Sequence, residues 1–184
     1  MRQQGFTLIE LLVVVAIIGI IASAVVVNLT IARSRARDAR RKADLKTIQT
    51  ALEVYLAEKD QYPSTLGIAG CPAGSSGVPF CGEPNNFGSK DYRGPQGYIP
   101  NLAGDYVDQL PVDPLVGKPS IFAAQKQPNC SPEQAGYLYG SNGTDYKLIA
   151  NCTPETAVDP SSPFYDPVRP NWAFSLASAG ARGW

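Results

Sequence analysis

The sequence contains no histidine, and it has no proline before Pro63. Without histidine, neither a Ser-His nor a Cys-His pair can activate a nucleophile. The sequence also lacks the glycine-rich loop ending in Gly-Lys-Ser/Thr that holds phosphate groups. Nothing singles out one pair of carboxylates as an acid and a base. We therefore predict that the protein is not an enzyme.

The chain has no formal net charge, because its 16 Lys and Arg residues balance its 16 Asp and Glu residues. The charges are unevenly spread, and residues 63–184 contain seven basic and ten acidic side chains. A domain that binds nucleic acid usually carries a basic patch. We expect no direct nucleic-acid partner for this acidic region.

The first third of the chain is almost free of helix breakers. All 16 prolines and 15 of the 17 glycines lie in residues 63–184, whereas residues 28–61 contain neither. Residues 32–62 are rich in good helix formers, and apolar residues recur there at helical spacing. That stripe consists of Leu45, Ile48, Leu52 and Tyr55, with Ala51 and Leu56 beside it. The sequence predicts an amphipathic helix that ends where a loop-rich head begins, at Pro63.

The segment Leu8 to Ile31 is apolar except for Glu10. A run of at least 18 apolar residues is typical of a membrane-spanning helix. A carboxylate inside such a helix is costly, so it usually marks a function with a partner. The leader in front of the run is only Met1 to Gly5, whereas an ordinary secretory signal has its small-residue cleavage site after the apolar stretch.

The residues Gly5-Phe6-Thr7-Leu8-Ile9-Glu10, followed by the apolar run, resemble the type III signal sequence of the type IV pilin superfamily. This resemblance implies that a prepilin peptidase cleaves between Gly5 and Phe6 and that Phe6 is then N-methylated. It also implies that, in a filament, the amine of Phe6 meets Glu10 of a neighbouring subunit. Pairing would relieve the desolvation cost of the carboxylate. Before assembly, Glu10 could instead turn towards the lipid headgroups.

Six basic residues follow the apolar run: Arg33, Arg35, Arg37, Arg40, Arg41 and Lys42. The positive-inside rule would place them in the cytoplasm, whereas the resemblance places them outside, and we follow the resemblance. Three roles stay open for this basic run. The first is a solvated helix face with pairs such as Asp38–Lys42. The second is contact with anionic lipid. The third is contact with acidic patches on the heads of neighbouring subunits.

Four cysteines lie in the head, at spacings that fit no C-x-x-C metal or redox site. An even number of cysteines in an exported head indicates two disulfides. Of the three possible connectivities we favour Cys71–Cys81 and Cys130–Cys152. The first would close a Gly- and Ser-rich loop, and the second would clamp the open end of a hairpin.

The predicted hairpin has strands at 137–141 and 145–150, and Asn142-Gly143 is typical of a type I′ turn. A two-residue turn would set Cys152 opposite Glu133, close to Cys130. We also predict a short helix within residues 98–111, which Pro111 would end, and a last strand at 172–176.

The short helix, the Leu-Pro-x-Asp-Pro pattern at 110–114 and the Tyr-rich hairpin together resemble the heads of type IV pilins and of major pseudopilins. The resemblance implies an α+β fold, with a long N-terminal helix packed on a small antiparallel sheet. The expected domains are a leader (1–5), a transmembrane and filament-core helix (6–31), its amphipathic continuation (32–62) and a globular head (63–184).

The acidic residues after Cys152 raise the question of a metal. Major pseudopilins bind calcium with acidic residues near this end, so the resemblance makes Asp159 and Asp166, with Glu155, candidate ligands. Their spacing matches no calcium loop, and Asp-Pro pairs usually begin turns. We expect no cofactor, with calcium as the alternative.

The favoured function is a structural subunit of a type IV pilus that serves adhesion, twitching motility or DNA uptake. The alternative is a major pseudopilin of a type II secretion system, and a second alternative is a membrane-anchored binding module that does not polymerise. The resemblance implies a single-pass precursor in the cytoplasmic membrane, with its head outside, that later joins an extracellular filament. The implied partners are identical subunits, the prepilin peptidase, an assembly platform with its ATPase, and membrane lipid. Val27 stands where many major pilins have a proline, which leaves open whether the helix melts on assembly.

Overall fold

A helix and an antiparallel sheet make up the fold in the computed structural model, which describes residues 6–88 and 90–184. Helix α1 spans Leu8–Lys59 and helix α2 spans Ile121–Lys126. The strands are β1 (Phe80–Gly82), β2 (Gly136–Ser141), β3 (Tyr146–Asn151) and β4 (Ala173–Ala177). The sheet order is β1-β2-β3-β4, with every neighbouring pair antiparallel. The predicted α+β class with a helix packed on an antiparallel sheet is confirmed.

The chain divides inside α1 into two units, Met1–Ala36 and Arg37–Trp184. In the first unit, the apolar side chains of the described residues are exposed, from Phe6 at 87% to Ile21 at 58%. Among residues 6–88 and 90–184, no helix combines the length and hydropathy needed to cross a membrane.

In the second unit, the predicted apolar stripe of α1 packs on one face of the sheet. Leu45, Ile48 and Leu52 are fully buried there. Side chains alternate across a strand, so every second strand residue joins this core: Tyr137, Tyr139, Tyr146, Leu148, Ala150, Phe174 and Leu176. The opposite face carries a smaller cluster of Phe80, Leu138, Ile149 and Ala173.

The helix and hairpin boundaries differ from the prediction in two places. Helix α1 stops at Lys59 because Asp60 adopts a left-handed conformation, with φ of 57°. The hairpin loop has four residues, since Ser141 pairs with Tyr146 and Asn151 with Gly136. Asn142 Oδ1 accepts hydrogen bonds from the backbone N–H groups of Thr144 (3.0 Å) and Asp145 (2.8 Å), which closes this wider turn. The register is therefore shifted by two residues, and the same side chains still face the core.

The short helix predicted within residues 98–111 is wrong, because this segment consists of turns and bends. Asn101 and Gly104 have positive φ values of 57° and 101°, which interrupt a right-handed helix. Leu102 and Leu110 are nevertheless fully enclosed in the core, whereas Tyr106 and Val107 are only partly buried. Leu102 and Leu110 therefore reach the core without a helix.

Candidate functional site

The start of α1 is fixed by a reciprocal pair of polar residues, Thr7 and Glu10. The backbone N–H and the hydroxyl of Thr7 donate to Glu10 Oε2 at 2.9 and 2.7 Å. The backbone N–H of Glu10 donates to Thr7 Oγ1 at 3.3 Å. This arrangement is a capping box, which satisfies N–H groups that a helix start otherwise leaves unpaired. The Thr-x-x-Glu spacing of Thr7 and Glu10 is the sequence signature of this cap.

Phe6, Thr7 and Glu10 form the candidate assembly site. Phe6 and Glu10 are exposed in the single chain, and the capping box holds the Glu10 carboxylate at the helix start. A carboxylate held there can form an ion pair with a cation of another chain while it accepts hydrogen bonds from Thr7 of its own chain. Gly5, the other residue of the expected cleavage site, lies outside the described residues.

A buried charged cluster centred on Arg41 joins three distant parts of the second unit. Arg41 Nη1 donates to Asp38 at 2.6 Å, and Arg41 Nε donates to Asp113 at 3.1 Å. Glu155 also accepts from Nη1, at 3.4 Å. Arg41, Asp38 and Asp113 are each at most 2% exposed. The Arg41 cluster therefore ties α1 to the Leu-Pro-Val-Asp-Pro segment and to the chain after β3.

The remaining polar atoms around Arg41 are also hydrogen-bonded. Asp113 accepts from the Thr153 hydroxyl at 2.7 Å, and Asp38 accepts from the Thr156 hydroxyl at 2.6 Å. Arg37 makes two 2.6 Å hydrogen bonds to Glu155. Burial alone would lower the pKa of Arg41, but the charges of Asp113 and Asp38 and their hydrogen bonds raise it. The guanidinium therefore stays charged.

The structure gives Arg41 and Lys42 of the predicted basic run different roles from those expected, whereas the exposed Arg40 makes an i,i+4 pair with Asp44 (3.7 Å), as on a solvated helix face. Arg41 is buried, and Asp38 pairs with it rather than with Lys42. Lys42 lies over the ring of Phe174, 4.8 Å from its centroid, in a cation–π contact. A solvated helix face is therefore wrong for Arg41. Only long-range contacts identify that residue, since its partner Asp113 is 72 positions away.

Glu83 lies beside the Arg41 cluster and has an unusual protonation equilibrium. It accepts hydrogen bonds from the backbone N–H groups of Tyr137 (2.8 Å) and Asp113 (3.3 Å). Burial, reinforced by the negative charges of Asp113 and Asp44, raises the pKa of Glu83 to about 8. The carboxyl group is therefore largely protonated at neutral pH.

The candidate calcium ligands are not brought together. Asp166 is fully buried, where its carboxylate pairs with Lys147 (3.0 Å) and Arg169 (3.4 Å). Asp159 instead accepts from the backbone and hydroxyl of Ser161, in a local turn. Within residues 6–88 and 90–184, no group of three or more His, Cys, Asp or Glu residues is placed to hold a metal ion. The expectation of no cofactor, with calcium as its alternative, stays untested.

The four cysteines form the two disulfides that the sequence analysis favoured, Cys71–Cys81 and Cys130–Cys152. Cys81 belongs to β1, and Cys152 follows β3 directly. Cys130–Cys152 closes the open end of the hairpin and, with Ala123 of α2 and Ala135, forms a small buried cluster.

The first similarity to known proteins lies at the N-terminus. The family model described as "Prokaryotic N-terminal methylation motif" matches residues 1–26. No solved structure gave a significant match.

Curated relatives extend the similarity beyond that motif. The chain is 36% identical over 124 residues to type II secretion system core protein G of Pseudomonas aeruginosa, an alignment that covers 67% of this chain and 75% of that protein. It is 32% identical over 114 residues to the core protein G of Pectobacterium carotovorum, covering 61% of this chain and 62% of the relative, which is less than two thirds of its length. It is also 44% identical over 61 residues to the type IV major pilin protein PilA of Myxococcus xanthus, covering 33% of this chain and 28% of the pilin.

Proposed function

The chain belongs to the superfamily of type IV pilins and type II secretion pseudopilins, a family of structural subunits, and from this membership we propose that it is a polymerising pseudopilin of the protein G type. In this proposal, subunits assemble through their N-terminal helices into a short filament that serves a type II secretion system. The sequence analysis favoured a type IV pilus and gave this function as the alternative. The relatives support the alternative more strongly.

One observation carries the proposal: the alignment with the Pseudomonas aeruginosa core protein G covers three quarters of that protein. Its 124 residues are twice the 62 residues that precede Pro63, so the similarity includes part of the head. The Myxococcus xanthus pilin aligns over only 61 residues. Similarity in the head favours a secretion subunit because the N-terminal motif by itself is common to both kinds of filament.

The assembly site supports a polymerising role. We propose that removal of residues 1–5 frees the amine of Phe6, and that this amine pairs with Glu10 of a neighbouring subunit. In an apolar filament core such a pair attracts far more strongly than in water. The capping box presents the carboxylate in a fixed position at the helix start. The prepilin peptidase, an assembly platform with its ATPase, and membrane lipid around the precursor are the further partners in this proposal.

The two disulfides support a position of the head outside the cytoplasm, because disulfides persist in oxidising compartments. We propose that the precursor waits in the cytoplasmic membrane with its head outside and then enters the filament. The second candidate, a type IV pilin, is favoured by the 44% identity to the Myxococcus xanthus pilin.

Deletion of the gene in its native host, with complementation, tests the proposal. A pseudopilin predicts that the mutant loses protein secretion through the outer membrane and keeps its long surface filaments. Loss of long filaments with normal secretion would favour the pilus. Mass spectrometry of the subunit recovered from native cells completes the test. A methylated Phe6 terminus is expected, and an intact Met1 terminus confined to the membrane fraction would overturn both filament functions.

A further inference from the structure

A cavity of about 250 Å³ lies on the face of the sheet opposite α1. Leu138 of β2 and Asn151 of β3 contribute to it from the sheet. One wall consists of residues 72–74, directly after Cys71, and another includes Asn129, directly before Cys130. Both walls are therefore held by disulfides, which makes the cavity a preformed feature of the head.

The lining combines aromatic rings with side-chain amides. The rings belong to Phe80, Phe87 and Trp172, and the amides to Gln127, Asn129, Gln134 and Asn151. Amides both donate and accept hydrogen bonds, and aromatic rings offer a flat apolar surface. Recognition sites for small molecules typically combine such apolar walls with a few polar groups that fix orientation.

The amides are available to a ligand. Asn151 is only 3% exposed, and its Nδ2 donates to the backbone oxygen of Gln134 at 2.7 Å. No described residue donates to Asn151 Oδ1, and the side chains of Gln127, Asn129 and Gln134 make no hydrogen bond within the described part of the chain. Asn151 is thus oriented through its nitrogen, while its oxygen keeps its accepting capacity.

The positive charge of Arg169 at the cavity is engaged by other groups of the protein. Among the described residues that line it, Arg169 is the only charged one. Arg169 Nη1 donates to Asp166 (3.4 Å) and to the backbone oxygen of Trp184 (2.9 Å). Its guanidinium lies 5.8 and 5.9 Å from the ring centroids of Phe80 and Trp172. Because Asp166 and the backbone oxygen of Trp184 both accept hydrogen bonds from Arg169, its guanidinium is already engaged within the protein, and the site favours a neutral ligand over an anion.

An extended peptide fits less well, because peptides often bind by adding a strand to an open sheet edge. Both edges are covered by the chain itself. At β1, the N–H of Phe80 donates to Pro72 and the N–H of Lys90 donates to Gly82. At β4, the N–H of Ser175 donates to Phe164.

We propose that this cavity binds one neutral saccharide ring of a glycan. The C–H face of a sugar packs on an aromatic ring, and its hydroxyl groups pair with amides that both donate and accept. The volume is just below the range of roughly 300–1,000 Å³ typical of pockets for drug-sized ligands, which suits a single ring. The site does not depend on polymerisation, because every lining residue belongs to the unit 37–184, so a failure of the filament proposal would leave it intact.

The full chain, purified in a detergent without a sugar headgroup, is tested by saturation-transfer-difference NMR. The probes are methyl glycosides of glucose, galactose, mannose, N-acetylglucosamine and N-acetylgalactosamine, with glucuronic acid as the charged comparison. We expect at least one neutral glycoside to bind in the millimolar range and glucuronic acid to bind more weakly.

Two matched pairs of variants locate the site. Gln127→Ala is compared with Gln125→Ala, a nearby exposed glutamine that does not line the cavity. The first should weaken binding roughly fivefold, as expected for one lost hydrogen bond, and the second should not. Trp172→Ala is compared with Trp184→Ala, because both rings pack on the same cluster but only Trp172 lines the cavity.

Near-UV circular dichroism verifies that each variant is folded. Absence of binding to every neutral glycoside would overturn the proposal. Equal binding by wild type and the folded Gln127→Ala variant would overturn it as well, since the sugar would then occupy another place.

Discussion

At Arg41, a fully buried guanidinium faces three carboxylates that come from separate parts of the chain. Burying these charges costs desolvation energy, which their mutual attraction offsets when every hydrogen bond is made. No fully enclosed side-chain nitrogen or oxygen atom among the described residues lacks a hydrogen-bond partner. Removal of the one central cation would leave Asp38 and Asp113 buried without adequate compensation.

Arg41→Met should therefore lower the free energy of unfolding by about 3–5 kcal/mol, the cost of breaking a buried ion pair from one side. Urea unfolding of the full chain in detergent measures this change. Arg40→Met is the matched control, since the Arg40 side chain is 62% exposed and lies 3.7 Å from Asp44 in an ion pair. This control should cost less than about 1 kcal/mol. Equal losses in both variants would contradict a special role for Arg41.

The raised pKa of Glu83 predicts that the free energy of unfolding depends on pH. Its folded pKa of about 8 lies above the ordinary value of 4.5, so the folded protein holds a proton that the unfolded chain releases. The contribution of Glu83 is therefore complete below about pH 4.5 and is lost as the pH rises through about 8. Glu83→Gln, which imitates the protonated form, should gain roughly 4 kcal/mol relative to wild type between about pH 5 and pH 9.

Unfolding curves of both proteins at the two pH values test this prediction. Glu133→Gln serves as the control, because Glu133 is an exposed carboxylate. A difference between Glu83→Gln and wild type that stays constant with pH would show that Glu83 is ionised in the folded protein.

At the scale of elements, the sheet depends on disulfides at two places. Cys71–Cys81 anchors β1 to the chain before it, with a sequence separation of 10 residues. Cys130–Cys152 clamps the β2–β3 hairpin, with a separation of 22 residues. A longer closed loop restricts the unfolded chain more, so the second disulfide should stabilise the head more strongly.

Replacing both cysteines of one disulfide by serine tests this difference. Chain-entropy arguments predict losses of about 3.4 kcal/mol for Cys130–Cys152 and about 2.8 kcal/mol for Cys71–Cys81. Thermal and urea unfolding measure both losses, and each double variant is the control for the other. A larger loss at Cys71–Cys81 would mean that strain or packing, rather than loop length, decides the effect.

At the scale of the whole molecule, the boundary between Ala36 and Arg37 separates two units that differ in how they treat their apolar side chains. All residues of the principal core belong to the second unit, whereas the large apolar side chains described in the first unit, such as Phe6, Leu8 and Ile21, are exposed. A chain of residues 37–184 should therefore fold by itself in an oxidising compartment, with both disulfides and one cooperative unfolding transition. Circular dichroism and thiol counting test this, and a non-cooperative transition would contradict it.

Polymerisation is expected to depend on the other unit. Glu10→Ala should leave membrane insertion intact and abolish filament assembly, because the amine of a neighbouring Phe6 loses its carboxylate partner. Shearing of cells followed by immunoblotting separates filaments from membrane-bound subunits. Glu58→Ala, which removes an exposed carboxylate of the second unit, should assemble normally. Normal filament yield from Glu10→Ala would contradict the docking mechanism.

The sequence by itself determined the features that depend on neighbouring residues. The apolar stripe of α1 follows from a helical period, and the Gly5–Glu10 motif was recognised directly. Asn142-Gly143 predicted a hairpin, and the favoured pairing of Cys130 with Cys152 rested on that hairpin. The register was wrong by two residues because the turn chemistry of Asn142 allows more than one loop length.

Only the tertiary structure decided the features that join distant parts of the chain. Arg41 looked like a member of an exposed basic run, and its partners Asp113 and Glu155 lie 72 and 114 residues away. Residues 98–111 have helical apolar spacing, but packing against the core holds them in turns. The cavity beside Trp172 likewise arises from segments that no local pattern connects. Periodicity reports which side of an element is apolar, whereas a buried charge or a cavity depends on which surfaces meet when the chain folds.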